Sequence, residues 1–151
     1  MSFKPHIYDR LSTGDKIFEY RRQYSDEPTL VYMYVSSPLM KIKGRLDLGK
    51  RIDIKKWKEE YADNAEVQKR IDKYMTNYKY AMPVLFFQET TSISLRQLQK
   101  DFDKFVVPQS YYYLDNYAEL LSYITKNIEV VGNKKMNDFT YALPNHICLQ
   151  Y

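Results

Sequence analysis

Residues 40–48 read Met-Lys-Ile-Lys-Gly-Arg-Leu-Asp-Leu, the most regular pattern in the chain. Apolar residues or glycine hold every second position, at Met40, Ile42, Gly44, Leu46 and Leu48. Charged residues hold the positions between them, at Lys41, Lys43, Arg45 and Asp47. A period of two predicts a strand of an antiparallel sheet with one buried face and one exposed face. Gly44 inside this strand predicts a bulge or a tight bend, as at the corner of a barrel.

The segments on either side of this strand predict a mixture of strands and helices. Strands are expected at 17–21, 30–36, 80–90 and 128–131, where β-branched and aromatic residues are dense. Helices are expected at 6–11, 94–102 and 117–126, and as a pair over 57–78 broken near Asp63, with Asn64 as the cap of the second. Strands and helices do not alternate regularly. The pattern predicts an α+β fold, with a bent sheet closed into a small barrel and helices outside it.

Composition limits the class of protein. The 151 residues include 44% hydrophobic and 28% charged residues, which predicts one globular domain and excludes a largely disordered chain. The longest strictly apolar run, Met82–Phe87 with Pro83 inside it, is far too short to cross a bilayer. A single cysteine, Cys148, excludes an internal disulfide, and two histidines beside it argue against a zinc site. We therefore expect a cytoplasmic protein that uses no membrane, metal or cofactor.

The positive charge is unevenly distributed. The formal net charge is +4, and the densest excess lies between Lys41 and Lys58. The basic residues there are Lys41, Lys43, Arg45, Lys50, Arg51, Lys55, Lys56 and Lys58, against two acids, Asp47 and Asp53. Such a patch attracts phosphate groups, which favours a nucleic acid or a nucleotide as partner. The alternative is a charged surface that only keeps the protein in solution.

The most informative stretch for function is 14–21, Gly-Asp-Lys-Ile-Phe-Glu-Tyr-Arg. On a strand, Glu19 and Arg21 share one face because they are two positions apart. Lys16 has the opposite parity, so it joins them only from a turn or across a bulge. A carboxylate flanked by two cations can hold a guanidinium in place for a phosphate or a carbonyl. The alternative is an ordinary surface ion pair.

This Gly14-x-Lys16-x-x-Glu19-x-Arg21 pattern resembles the signature of the ASCH group within the PUA-like superfamily. Further blocks agree with it in the same order: Lys4-Pro5 before a short helix, Arg22, residues 35–38, Ile42-x-Gly44, and residues 108–114. The resemblance covers about residues 2–132. It implies an ASCH/PUA-like domain over 1–132, and residues 133–151 are expected to be a C-terminal tail that is packed on the domain or frayed from it.

The resemblance also implies a fold and a function. The fold is a PUA-like pseudo-β-barrel of about five or six strands with peripheral helices and a cleft beside the first helix. The function is binding of RNA or of a modified nucleotide, with hydrolysis of RNA or acylated cytidine in some members. Carried over by position, Lys16, Glu19 and Arg21 line the cleft, Ser36 and Ser37 form its rim, and Gln109, Ser110 and Tyr111 close it. Lys41, Lys43 and Arg45 would steer the nucleic-acid backbone.

The same residues fit a reader of bases. Glu19 can accept hydrogen bonds from exocyclic amines, Gln109 can pair with a base edge, and a tyrosine of 111–113 can stack on a splayed base. Acylcytidine-hydrolysing relatives resemble a Lys-x-x-Thr pattern, but the residue three after Lys16 is Glu19, which lacks the hydroxyl nucleophile. Two alternatives stay open. One is a metal-independent hydrolase with Lys16 as general base beside Glu19. The other is a protein-interaction domain with a vestigial cleft.

Overall fold

The computed structural model of the chain describes residues 1–139 and 144–151. The strands are β1 (Ser2–Phe3), β2 (Phe18–Arg21), β3 (Thr29–Val35), β4 (Lys41–Leu48), β5 (Ile52–Asp53), β6 (Tyr80–Ser94) and β7 (Lys135–Met136). The α-helices are α1 (Pro5–Thr13), α2 (Ile54–Glu60), α3 (Ala65–Met75), α4 (Leu95–Asp101) and α5 (Ala118–Asn127). Short 3-10 helices cover Leu114–Asn116 and Pro144–His146. Within 1–139 and 144–151, no helix has the length and apolar character needed to cross a membrane.

The long strand β6 organises the sheet. One of its edges pairs with β4 and β5, and the other pairs with β2 and β7, all antiparallel. β3 continues the sheet beyond β4, and β1 lies parallel to β3, which gives the order β1-β3-β4-β6-β2. The sheet curls into a half-barrel with helices around it. This α+β architecture confirms the predicted fold class, with seven strands in the described residues, three of them two residues long.

Residues 108–111, which precede the 3-10 helix Leu114–Asn116, close the half-barrel. The Ser2 amide donates to the Ser110 carbonyl at 2.9 Å, so this segment lies beside β1. At its other end the Tyr111 hydroxyl donates to the Gln23 carbonyl at 3.0 Å, just beyond β2. The first and last strands of the sheet are thus bridged by a loop from late in the sequence.

The predicted bulge lies at Gly44, and it reverses the faces of β4. Tyr32 pairs with Arg45 and Tyr34 with Ile42, so two steps along β3 match three along β4. Gly44 has φ +79°, and its amide donates to Thr90 Oγ1 at 2.8 Å. An inserted residue moves every later side chain to the other face of the sheet. The prediction that positions 40–48 keep one alternation is therefore wrong.

Buried hydrophobic residues form three clusters around the sheet. The central core, inside the half-barrel, includes Leu11, Met33 and Leu46. The α2–α3 core includes Phe18, Trp57 and Ile71. The α4–α5 core includes Tyr34, Ile42, Leu98 and Ile124. Ile42 and Leu46 thus lie in different cores, which is the direct consequence of the bulge.

The helix predictions are largely confirmed. The pair over 57–78 is broken where predicted, and the Asn64 side chain accepts from the Val67 amide at the start of α3. Ser94 caps α4 in a reciprocal arrangement with Gln97. The predicted strand at 128–131 is wrong, because its backbone makes only a single bridge, between Val130 and Thr90 of β6.

Part of the predicted tail contacts the α2–α3 core. Ile147 and Cys148 are fully buried there, and the Tyr20 hydroxyl accepts from the Cys148 amide at 2.8 Å. Residues 140–143 of the predicted tail lie outside the described residues.

Candidate functional site

The turn between α1 and β2 brings Lys16 to the face of Glu19 and Arg21. Gly14 ends α1 in the left-handed conformation, at φ +84°, and the Lys16 amide donates to the Arg10 carbonyl at 3.0 Å. β2 begins only at Phe18, so Lys16 does not follow the alternation of the strand. Lys16 would face away from Glu19 and Arg21 if it lay on the strand. Because it lies in the turn instead, its side chain reaches the same face as theirs.

The three charged side chains form one ion network. Lys16 Nζ lies 3.3 Å from Glu19 Oε2, and Arg21 Nη2 lies 3.0 Å from Glu19 Oε1. Lys16 Nζ also donates to the Phe18 carbonyl. Lys16 and Glu19 are only 5% and 4% exposed. The surface ion pair considered as an alternative is therefore wrong for Lys16 and Glu19, because both are buried.

Aromatic rings enclose Lys16. Its ammonium lies 4.9 Å from the centre of the Tyr20 ring and 5.5 Å from that of Tyr151. The Tyr151 hydroxyl donates to the Asp15 carbonyl at 3.0 Å, which fixes that ring over the turn. Burial lowers the pKa of Lys16 below 10.5, and the charge of Glu19 opposes the decrease. Lys16 is thus a buried cation held by one carboxylate and two rings.

Arg21 extends the network toward the edge of the half-barrel. Its guanidinium lies 5.7 Å from the centre of the Phe3 ring, and its side chain is 18% exposed. Nε and Nη2 are buried and make no hydrogen bond within the described residues, so the contact with Glu19 has the geometry of an ion pair alone. Burial raises the pKa of Tyr24 to about 12, and the positive charge of Arg21 opposes that rise. Arg21 also opposes the burial-driven rise in the pKa of Tyr111.

Residues 109–111 are predicted to close the cleft. Only Tyr111 points toward Tyr24 and the ion network, while Gln109 and Ser110 do not contact the network. The Tyr111 ring packs edge-on against Tyr24, with centroids 5.1 Å apart. Gln109 and Ser110 are exposed, and neither side chain hydrogen-bonds to another described residue. The Ser110 backbone is fixed instead, through its carbonyl, on Ser2. The structure therefore joins Lys16, Glu19 and Arg21 in one ion network, and it places Tyr24 and Tyr111 within electrostatic range of Arg21. Gln109 does not contact the network.

The predicted rim lies at the end of β3. The Ser36 amide donates to the Phe3 carbonyl at 2.9 Å, which places Ser36 beside the residue that Arg21 contacts. Ser37 is exposed and precedes Pro38 through a cis peptide bond. The structure thus keeps these two serines near the Phe3 side of the network.

The predicted steering residues are divided between two faces of the sheet. Lys43 lies 5.4 Å from the centre of the Tyr8 ring, next to the central core, and pairs with Glu89 at 2.9 Å. Arg45 lies opposite Tyr32, on the face of the α4–α5 core. Lys41 pairs with Val35 on the side of Lys43. The prediction that Lys41, Lys43 and Arg45 share one face of β4 is therefore wrong, because the bulge at Gly44 moves Arg45 to the other face.

A large groove lies on the other face of β3, and the sequence did not reveal it. It has a volume of about 920 Å³ and runs between β3, the loop 24–29, residues 105–115 and α5. Six tyrosines line it: Tyr24, Tyr32, Tyr34, Tyr111, Tyr112 and Tyr113. Two of these tyrosines, Tyr24 and Tyr111, lie within electrostatic range of Arg21. The run 111–113 was the one available signal in the sequence, and β3 itself reads as an ordinary buried strand.

In the described part of the chain, no three His, Cys, Asp or Glu side chains lie close enough together to bind a metal ion. The thiol of Cys148 is buried, and burial raises its pKa to about 12. A neutral buried thiol is a packing group rather than a nucleophile.

No protein-family model and no curated protein matches the sequence. Solved structures do match. A crystal structure of ASCH from Zymomonas mobilis has a TM-score of 0.57 at 21% identity, over 81% of this chain and 92% of that chain. The structure of a tyrosine-to-phenylalanine variant of the same protein has a TM-score of 0.57 at 20% identity, over 81% of this chain and 94% of that chain. The structure of a serine-to-alanine variant has a TM-score of 0.56 at 21% identity, over 82% of this chain and 93% of that chain. With the architecture and the Gly14–Arg21 network, these likenesses show that the chain has the fold of the ASCH proteins.

Proposed function

We propose that this domain binds single-stranded RNA or a nucleotide-derived ligand at the edge of the half-barrel, where Tyr24 and Tyr111 lie within electrostatic range of Arg21. The observation that carries the proposal is that the Arg21 guanidinium is held by an ion pair but keeps buried nitrogens without a hydrogen-bond partner among the described residues. Glu19 holds this guanidinium from one side, while Nε and Nη2 make no hydrogen bond within the described residues. Guanidinium donors match phosphate and base oxygens well, and a buried donor gains most from a new acceptor.

The half-buried Tyr111 and the exposed Tyr113 supply a surface for stacking, and Tyr24 supports them from the central core. Tyr24, Tyr111 and Tyr113 form a chain of edge-on contacts, with centroids 5.1 Å and 5.6 Å apart. Unpaired bases stack on aromatic side chains without much regard to sequence, for about 1–3 kcal/mol per base. A guanidinium next to such rings meets the phosphate and the base of one nucleotide together. RNA binding is also what the ASCH resemblance implies.

In this proposal Glu19 and Lys16 position Arg21 and do not touch the ligand. Glu19 balances two cations and is almost fully buried, so it fixes the guanidinium on the face that the ligand approaches. Gln109, Ser110 and Ser37 are exposed and Ser36 is half-buried, and a longer ligand would reach these residues. The free, buried Cys148 fits a reducing compartment, and we place the activity in the cytoplasm.

A hydrolase is the second candidate, favoured by one observation. Burial lowers the pKa of Lys16, which is a requirement for a lysine general base. Its ammonium is enclosed by Tyr20 and Tyr151, so a substrate would have to displace the Tyr151 ring. Incubation of RNA and of acylated nucleosides with the parent protein and with Lys16→Ala decides the matter. No turnover by the parent protein removes this candidate.

The binding proposal is tested with a fluorescently labelled single-stranded RNA, whose anisotropy is measured at several salt concentrations. Phosphate contacts release counterions, so the affinity should fall steeply and linearly on a log–log plot against salt. A duplex of the same sequence should bind more weakly, because its bases are not available for stacking. Binding that does not respond to salt, or no binding at low salt, contradicts the proposal.

A further inference from the structure

The large groove between β3 and α5 has an unusual charge for this protein. The chain contains 23 lysines and arginines, yet none of the described side chains that line the groove is basic. Its charged side chains are Glu27 and Asp115, both exposed, which lie on the loop before β3 and on the 3-10 helix before α5. Met1 also lines the groove, but its amino group donates to the Tyr32 carbonyl and burial lowers the pKa of that group to about 5. The two carboxylates therefore disfavour a phosphate and favour a cation.

The aromatic lining favours the same charge. The faces of tyrosine rings carry a negative potential and attract ammonium and guanidinium groups. Burial raises the pKa of Tyr24 to about 12 and also raises the pKa values of Tyr34, Tyr111 and Tyr112. These rings therefore stay neutral in ordinary buffers. The half-buried Tyr111 and Tyr112 and the exposed Tyr113 offer their faces to a cation, while Tyr24 and Tyr34 form the floor of the groove.

The rest of the lining is apolar, and its size suits a small ligand. Leu30 and Ile42 lie on the β3 and β4 side, and Leu121 lies on the α5 side. Leu30 is 48% exposed although it is a large hydrophobic residue on a strand. A volume of about 920 Å³ lies within the range of sites that take small molecules. Such walls contact an apolar body while the carboxylates and rings contact a charge.

We propose that this groove is a second binding site, specific for a small organic cation that joins an amine or quaternary ammonium group to an apolar body. The site differs from the Arg21 site in charge and in side chains, apart from the shared Tyr24, Tyr111 and Tyr113. It does not depend on whether the protein binds RNA.

The test uses three probes with one apolar body and different charges: phenylpropylammonium, phenylpropanol and phenylpropanoate. Each is titrated into the ¹⁵N-labelled full-length protein, and amide shifts are followed at Tyr113 and Leu121. The ammonium should bind about five- to tenfold more tightly than the alcohol, a ratio typical of one cation–π contact with a nearby carboxylate, and the carboxylate should bind most weakly. Equal affinities, a preference for the carboxylate, no binding, or shifts outside the groove would overturn the proposal.

A double variant, Glu27→Gln with Asp115→Asn, isolates the role of charge. Both positions are exposed, so the fold should be kept, which the amide spectrum itself verifies. The ammonium should lose several-fold affinity and approach the alcohol, whose affinity should not change. Unchanged affinity for the ammonium contradicts the proposal. A peptide, acetyl-Leu-Lys-Leu-amide, binding more tightly than the ammonium would also overturn it, because the groove would then be a peptide site.

Discussion

At the scale of single residues, Glu19 is the group that holds the ion network together. It is 4% exposed and is the carboxylate partner of both Lys16 and Arg21. Removing one partner of a buried ion pair leaves an uncompensated charge, which costs much more than the pair itself contributes. The stability of β2 therefore depends on a residue that the resemblance assigns to function.

Replacing Glu19 by Gln should reduce the free energy of unfolding by about 3–5 kcal/mol, because Lys16 stays buried without its counter-charge. Urea denaturation measures this change. Glu89→Gln is the matched control, since Glu89 also pairs with a lysine on the sheet but is half exposed. It should cost about 0–1 kcal/mol. Similar losses in both variants would contradict a buried network.

Lys16 gives the stability a defined dependence on pH. Burial lowers the pKa of Lys16 in the folded state below its usual 10.5. Between the folded pKa and 10.5, the unfolded chain binds a proton that the folded protein has released, so the contribution of Lys16 to stability rises with pH. The difference in unfolding free energy between the parent protein and Lys16→Met should rise from neutral pH toward 10.5.

The control for this pH series is Lys56→Met, because Lys56 is an exposed residue of α2. Its difference from the parent protein should stay flat over the same range. Subtracting each variant from the parent removes the contributions of the many tyrosines. A difference for Lys16→Met that falls or stays constant as the pH rises contradicts the buried position of Lys16.

At the scale of elements, one glycine decides which residues of β4 face which core. Gly44 and Gly132 both have positive φ, +79° and +67°. A Cβ on Gly44 would lie 3.1 Å from Tyr8 and 3.2 Å from Phe87, whereas a Cβ on Gly132 would meet nothing within 4 Å. The pair separates the cost of backbone conformation from the cost of packing.

Gly132→Ala should destabilise the protein by about 1–2 kcal/mol, the cost of a left-handed conformation for an ordinary residue. Gly44→Ala should cost about 1–3 kcal/mol more, because it also overfills the space between α1 and β6. Thermal or urea unfolding of both variants measures the difference. Equal costs would show that the chain does not pack tightly at the bulge.

The bulge also shows how far the sequence predicts this fold. Alternation at 40–48 correctly indicates the strand β4, and Gly44 correctly indicates its bulge. The pattern does not reveal that Ile42 and Leu46 face different cores, because a single inserted residue leaves the hydrophobic sequence unchanged and reverses its geometry. The aromatic groove was missed for a related reason: its walls come from β3, α5 and two loops, each of which reads locally as core or turn.

At the scale of the whole molecule, the far ends of the sequence meet around the candidate site. Tyr151 covers Lys16, and residues 147–148 fill the α2–α3 core, while Tyr111 bridges to the end of β2. The motif at Gly14–Arg21 predicts which charges belong to the site. The motif does not predict which side chains enclose these charges, because Tyr151, which covers Lys16, lies more than a hundred positions away in the sequence.

Cys148 reports whether the C-terminal segment stays in place. It is fully buried, and burial raises the pKa of its thiol to about 12, so a thiol reagent such as DTNB should not react with the native protein near neutral pH. The same thiol should react completely in denaturant. In Ser92→Cys, a thiol at an exposed position of β6 should react at once while Cys148 stays protected. Rapid labelling of Cys148 in protein with native circular dichroism would contradict the docked segment.

The central claim, that Arg21 is the point at which the ion network meets a nucleic-acid ligand, is tested most directly by comparing two adjacent arginines. Arg22 is exposed and lies next to Arg21 in sequence, so Arg21→Gln and Arg22→Gln remove the same charge. Affinity for a labelled single-stranded RNA is measured for both at one low salt concentration, after unfolding curves verify that each is folded. We predict a loss of at least about tenfold for Arg21→Gln, as for one charged hydrogen-bonding group, and of about twofold or less for Arg22→Gln. Equal losses, or a larger loss for Arg22→Gln, would contradict the account.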